Sequence, residues 1–208
     1  MKLSSLSLAV RDHGATGRTD AELVALVAGL RSTALGSAAI EKAGGLRALW
    51  AEPSRGGLSA AAVARIDAAR EVCVRFHAET LQRGAPLTDP DTTRRFLIAR
   101  LRDLPHEVFC CLFLDNRHRV IAFDELFRGT LDGASVHPRE VVKAALRHNA
   151  AALILAHNHP SGVAEPSDAD RLITRRLREA LGLVDVRVLD HFVVGDGYAV
   201  SFAERGWI

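Results

Sequence analysis

The sequence predicts an α+β protein, a mixed sheet flanked by helices, preceded by a small all-α domain. Three observations carry this. Up to about residue 85 the apolar residues recur at helical spacing, and the interruptions fall at glycine and proline. From residue 86 onward, short apolar runs suited to strands alternate with helical segments. A Gly84-Ala85-Pro86 break separates the two textures, which sets the domains at 1–85 and 86–208.

In the first domain, Thr19-Asp20-Ala21-Glu22 forms a capping box that opens the apolar run Leu23 to Leu30. Gly44-Gly45 interrupts the next helix ahead of Leu46 and Trp50, and Pro53 to Gly57 is a turn. Ser59 caps a long helix to about Gln82, with Val63, Ile66, Val72 and Phe76 as its apolar face. In the second domain, Asp89-Pro90-Asp91 starts a helix ending near Leu104. Val108 to Leu114 and Arg119 to Leu126 read as strands joined by a turn at Asp115-Asn116-Arg117-His118. Pro138 opens a helix through His148, and the wholly apolar Ala151 to Ala156 suits a buried strand. A helix over Ser167 to Leu181, a strand over Val186 to Val194, a Gly195-Asp196-Gly197 turn and a strand over Tyr198 to Phe202 complete the chain.

Composition narrows the function classes. With 208 residues, 48% of them hydrophobic and 25% charged, the chain has the makings of a real core, which excludes a disordered protein. Three cysteines without CxxC spacing exclude a disulfide-stapled miniprotein and read as core thiols in a reducing cytoplasm. A formal charge of +2 carries no polyanion-binding signature of its own. Met1 to Arg11 lacks the apolar core of a secretory signal, and no apolar run approaches the roughly 18–20 residues that span a bilayer. The expectation is a cytoplasmic protein without a membrane partner.

The chemistry concentrates in His157-Asn158-His159-Pro160-Ser161-Gly162 and Pro166-Ser167-Asp168-Ala169-Asp170. Two histidines two apart at the end of a strand leave the same face. Ser167 is placed to cap the following helix, which puts Asp170 in its first turn, facing back to the strand end. Two neutral imidazoles and a carboxylate are a three-ligand set for catalytic Zn²⁺ with the fourth position open. A metal held so lowers the pKa of water from about 16 toward 7. Such chemistry also needs a base, for which a nearby glutamate is expected, and an oxyanion donor, for which Ser167 is suited. Asn158 and Ser161 read as loop-shaping residues. Asp190 and His191 point to opposite faces of a strand, one of them buried and hydrogen-bonded; the alternative is support for a metal ligand. His118, His137 and His148 carry no ligand spacing and read as surface residues.

The order His-x-His, seven residues, Ser, two residues, Asp resembles the JAMM motif of JAB/MPN metallopeptidases. The words HNHPSG at 157–162, Pro166-Ser167 with Asp170, and Leu189-Asp190-His191 resemble the RadC (UPF0758) branch. Over about residues 89–208 the resemblance implies a cytidine-deaminase-like JAB/MPN fold and zinc-dependent hydrolysis of a peptide or isopeptide bond in a protein substrate. It implies His157, His159 and Asp170 as metal ligands and Ser167 as oxyanion donor. Pro105-His106-Glu107-Val108 matches the family's Pro-x-Glu-Val context and makes Glu107 the general acid/base. Glu125 competes for that role, because reach to the activated water decides it. Arg139 and Glu140 beside Pro138 resemble a further family word, with capping and substrate-groove roles both open. For residues 1–85 the resemblance implies a helix–hairpin–helix-like region and a DNA contact. The matching turn, Gly56-Gly57-Leu58-Ser59, lacks the second hairpin glycine, and only Arg55 and Arg65 lie near it, so packing or partner binding stands equally. The alternative function is a DNA-associated, repair-linked binding protein whose metal is structural.

Overall fold

The computed structural model describes residue 10 and residues 14–82, 87, 89–129 and 136–208; the expected domain break at 84–86 lies outside them. The chain forms two compact units, Met1–Cys73 and Val74–Ile208. In the first, helix α1 (Asp20–Ala28) opens with the expected reciprocal capping box between Thr19 and Glu22. Helix α2 (Thr33–Ala43) ends at Gly44, whose φ of 87° explains why glycine stands there. A short α3 (Leu46–Ala51) and a 3₁₀ turn (Pro53–Gly56) lead into α4 (Ala60–Gln82), where Ser59 Oγ accepts from Ala62 N at 3.3 Å. The core of this unit gathers Val24, Ala39, Ala43 and Leu49, and a second cluster joins Ala28, Ala62 and Ile66. The expected apolar face of α4 holds only in part. Ile66 is buried, but Val72 and Phe76 are each 65% exposed. Helical spacing reports which residues share a face; it does not report how far along that face the packing runs. Near the glycine turn, Arg55 pairs with Glu52 at 2.6 Å and Arg65 Nη1 donates to the Ala28 carbonyl at 3.3 Å.

The second unit holds a five-stranded mixed sheet in the order β2-β1-β3-β4-β5: β1 (Val108–Leu114), β2 (Val120–Arg128), β3 (Ala152–Asn158), β4 (Arg187–Val194) and β5 (Ala199–Ser201). Every residue of β1 and of β3 is buried, which fits their unbroken apolar runs. On one face lie Cys110, Leu112, Leu114, Ile154, Ala156 and Phe192, packed with Phe96, Leu97 and Leu101 of α5 (Pro90–Leu101). On the other lie Phe109, Cys111, Phe113, Leu153 and Leu155, packed with α6 (Pro138–Arg147) and α7 (Asp168–Gly182). The result is three layers with the sheet in the middle, and Cys110 and Cys111 sit on opposite faces as the alternation requires. Helix α5 stops at Leu101, three residues short of the expected end.

The β1–β2 turn is organised by Asp115. Its Oδ1 accepts from Arg117 N at 2.8 Å and Arg119 N at 2.9 Å, and its Oδ2 meets the Arg119 guanidinium at 2.6 Å. The Arg119 amide and side chain, with the Arg117 amide, hold its carboxyl below the usual range against a smaller opposing effect of desolvation. A depressed carboxylate pKa contributes stability that is full above the unfolded pKa and fades as pH falls through the folded one. Urea midpoints of Asp115→Ala should therefore lie below those of the unaltered chain at neutral pH. The gap should close in acid; a constant gap across that range would rule the carboxylate out as the cause.

Among the described strands one pair is parallel, β3 with β4, and it positions the candidate site residues. A parallel pair needs a crossover, and α7 supplies it. The chain leaves the C-terminal end of β3, turns through 159–167 and enters α7, so the first turn of α7 lies beside the last residues of β3. Ligand sites form outside the carboxyl ends of strands for this reason.

Candidate metal centre and its cleft

His157 is the penultimate residue of β3 and 1% exposed, its ring stacked on Phe109 at 6.1 Å between centroids. His159 follows the strand and is anchored at both backbone and ring: its N–H donates to Val194 O at 2.9 Å, and Nδ1 lies 2.7 Å from Val163 O. A carbonyl only accepts, so His159 Nδ1 carries the hydrogen and Nε2 keeps a bare lone pair whenever the ring is neutral. The loop between β3 and α7 is pressed onto the β4–β5 turn, where Asp196 N donates to Gly162 O at 2.7 Å. Gly195 permits this approach, since a Cβ there would stand 2.5 Å from Gly162 O and 2.6 Å from Ala164 N.

Asp170 comes from the first turn of α7, where the helix dipole favours a carboxylate. Ser167 Oγ accepts from Asp170 N at 3.2 Å and donates to Asp170 Oδ2 at 2.6 Å, while Ser167 N donates to the same oxygen at 2.7 Å. The capping box therefore also aims the carboxylate. Asp170 Oδ1 faces His157 Nε2 at 3.2 Å, and Oδ2 lies 3.6 Å from His159 Nε2. Burial opposes the Asp170 charge, but the facing His157 and His159 rings and the Ser167 hydroxyl outweigh it and hold the carboxyl well below the usual range. The Asp170 carboxylate facing its ring in turn favours the charged form of His159 and raises its pKa, against the effect of burial.

The two Nε2 atoms are 3.1 Å apart, and one donor atom from each of His157, His159 and Asp170 falls within 4.8 Å of the others. Two nitrogens and a carboxylate oxygen converging this closely make a donor set that suits Zn²⁺. These three, with Ser167, are the sequence-predicted residues that the fold brings together.

Glu107 precedes β1 and lines a cleft of about 530 Å³ together with Pro105, His106, Gly129, His159, Pro160 and Ser161. Its backbone carbonyl accepts from Gly129 N at 2.8 Å. Glu125 lies elsewhere. It pairs in register with Cys110, on the α5 face of the sheet, and its oxygens meet Arg100 at 3.0 Å and Arg128 at 3.2 Å. His157 stands on the opposite face, beside Phe109. Glu140 is bound by Lys143 and Arg139 on the first turn of α6. His148, expected at the surface, is instead half-buried against Phe113 and meets Asp124 at 2.7 Å.

Three residues have a larger structural part than their sequence context suggested. Asn158, fully buried between the two histidines, accepts from Val108 N at 2.8 Å and donates to His106 O at 3.1 Å and Leu104 O at 3.4 Å. It thereby fixes the backbone on both sides of Glu107. Asp190 and His191 do point to opposite faces, yet both are buried and hydrogen-bonded. Asp190 accepts from His191 N, Ala203 N and Ser201 Oγ; burial raises its pKa against these bonds. His191 has no exposure and touches His157 Nδ1 at 2.8 Å; burial, then the neighbouring His157, push its pKa well down. Its position beside His157 depends on an irregular register between β3 and β4, which alternation alone does not reveal.

Residues 87–207 match the model of the RadC-like JAB domain. The chain belongs to the RadC-like JAB family. Within it, the chain is 62% identical to a UPF0758 protein of Thioalkalivibrio sulfidiphilus, over 93% of this chain and 91% of that protein. A UPF0758 protein of Nitrosococcus oceani is 59% identical over 93% and 91%, and one of Aeromonas hydrophila 57% identical over 94% and 92%. The JAB/MPN family includes hydrolases. Among the described residues no helix is long and apolar enough to cross a membrane.

Proposed function

We propose that this RadC-like JAB protein is a zinc-dependent hydrolase of peptide or isopeptide bonds. The observation that carries the reading is the convergence of His157 and Asp170 with His159, which lines one cleft together with Glu107. Zinc held by these three residues would lower the pKa of water to about 7 and polarise the scissile carbonyl. Glu107 takes a proton from the attacking water and returns it to the leaving amine, a transfer that typically contributes 10²–10⁴-fold. Ser167 has one hydroxyl proton, given to Asp170 Oδ2 in the resting geometry. Donating to a developing oxyanion requires that bond to be released. The cleft opens beside His159, and its volume of about 530 Å³ is that of an ordinary ligand pocket, room for the residues flanking a scissile bond.

The test is elemental analysis of purified protein, unaltered and as His157→Ala, followed by hydrolysis of a fluorogenic peptide and isopeptide library. The expected result is about one zinc per chain, as three ligands of a single site imply, and cleavage of at least one library member. Both should be lost in His157→Ala. An unaltered chain that stays zinc-free in excess zinc sinks the reading. A zinc-loaded chain inert toward the whole library rejects the hydrolase while keeping the metal.

A further inference from the structure

We infer that His191 and Thr174 form a one-way hydrogen-bond relay that presents the Nε2 lone pair of His157 to the metal and ties that ligand to the helix turn carrying Asp170. The inference rests on the metal reading above for its consequence, and on the hydrogen-bond geometry for its direction. The direction follows from one end of the chain. Thr174 Oγ1 lies 2.5 Å from the backbone carbonyl of Asp170, four residues earlier on α7. A carbonyl cannot donate, so the single hydroxyl proton of Thr174 points to it. Thr174 Oγ1 also lies 2.6 Å from His191 Nδ1. With its proton committed, the hydroxyl can only accept there, and His191 Nδ1 carries hydrogen.

His191 is fully buried, and its ring nitrogens meet a hydroxyl and another imidazole, neither of them a counter-charge. It therefore holds one ring hydrogen, already placed on Nδ1, and its Nε2 is an acceptor. The partner of that Nε2 is His157 Nδ1 at 2.8 Å, which must donate. The lone pair of neutral His157 is then on Nε2, the atom that faces His159 Nε2 and Asp170 Oδ1. Every step is forced by the one before it, beginning from the carbonyl of a ligand residue and ending at the donor atom of another. His159 reaches the same tautomer by a separate route, through the Val163 carbonyl. His191 and Thr174 are positioning residues; neither belongs to the converging donor set of His157, His159 and Asp170.

Outer partners of this kind change metal affinity by about 10–100-fold. Ring ¹⁵N shifts of histidine-labelled protein read the tautomers directly, with and without zinc. His191 should carry hydrogen on Nδ1 alone, and His157 should carry one on Nδ1, in both states. Zinc affinity, measured by competition with a chromophoric chelator, should fall about 10-fold or more in Thr174→Val. Thr174→Ser, which keeps the hydroxyl, should restore it. His191→Phe should weaken zinc further, and His191→Gln, which can accept from His157 through its amide oxygen, should recover part of the loss. An Nε2-protonated His191 in the unaltered chain overturns the relay, as does unchanged zinc affinity in a folded Thr174→Val. If the unaltered chain binds no zinc, the metal reading falls on its own, and the ring tautomers of the zinc-free chain still decide the relay.

Discussion

Glu107→Gln should leave zinc content at the level of the unaltered chain and slow hydrolysis by about 10²–10⁴-fold, the usual share of a general acid/base. The amide matches the carboxylate in size and cannot accept the proton, so the cleft keeps its shape while the transfer is lost. Glu107 is not among the converging donor atoms of His157, His159 and Asp170, which is why the metal should be retained. Glu125→Gln is the matching control. It loosens the pairs with Arg100 and Arg128 on the far face of the sheet and should leave turnover within a few-fold, as expected for a partly exposed ion pair. Single-turnover rates on whichever library member is cleaved best, with zinc assayed on the same samples, read both quantities together. A Glu107→Gln chain that hydrolyses at the unaltered rate removes Glu107 from the mechanism, and loss of its zinc would make it a ligand instead.

Glu107 and Glu125 illustrate what a sequence does not carry: Glu107 lines the cleft beside His159, and Glu125 lies on the far face of the sheet. Both are glutamates near strands, and nothing in the spacing of either distinguishes the face it will occupy. The donor set differs, because its geometry is local: His157 and His159 share a strand end, and the Ser167 cap fixes the first turn of α7 only ten residues on. Elements were legible for the same reason. The Thr19 capping box, the Gly44 helix end and the unbroken apolar runs of β1 and β3 are each decided within a few residues. Contacts that span the chain were not. His191 reaches His157 because β3 and β4 pair in parallel with a shifted register, and Val72 and Phe76 stay exposed because a helix face says nothing about what is packed on it. Asn158 looked like a loop residue since its three partners lie 50 to 54 positions earlier.

Those three partners make Asn158→Leu the substitution with the largest expected cost in stability. Leucine is close in volume, so the change deletes hydrogen bonds with little loss of packing. The Val108 amide and the His106 and Leu104 carbonyls lose their asparagine partner at once, in a region where Asn158 and Val108 have no exposure. A buried polar group left unpaired costs about 1–3 kcal/mol. Because the three bonds share one side chain and the longest is weak at 3.4 Å, a total of about 3 kcal/mol is expected rather than three full penalties. For a domain of this size that corresponds to a fall of roughly 6–12 °C in midpoint temperature. Asn158→Asp separates the two halves of the bond pattern. It keeps the acceptor for Val108 N but turns a carboxylate oxygen toward two carbonyls, so it should be at least as damaging as leucine despite being nearly isosteric. Zinc content should survive wherever the chain is folded, since His157 and His159 remain, while turnover should fall as the segment carrying Glu107 loosens. Calorimetry on the metal-loaded proteins checks the order. An Asn158→Leu chain with an unshifted midpoint would mean that the three backbone groups find other partners, and that the strand bearing the histidines does not hold Glu107 in place.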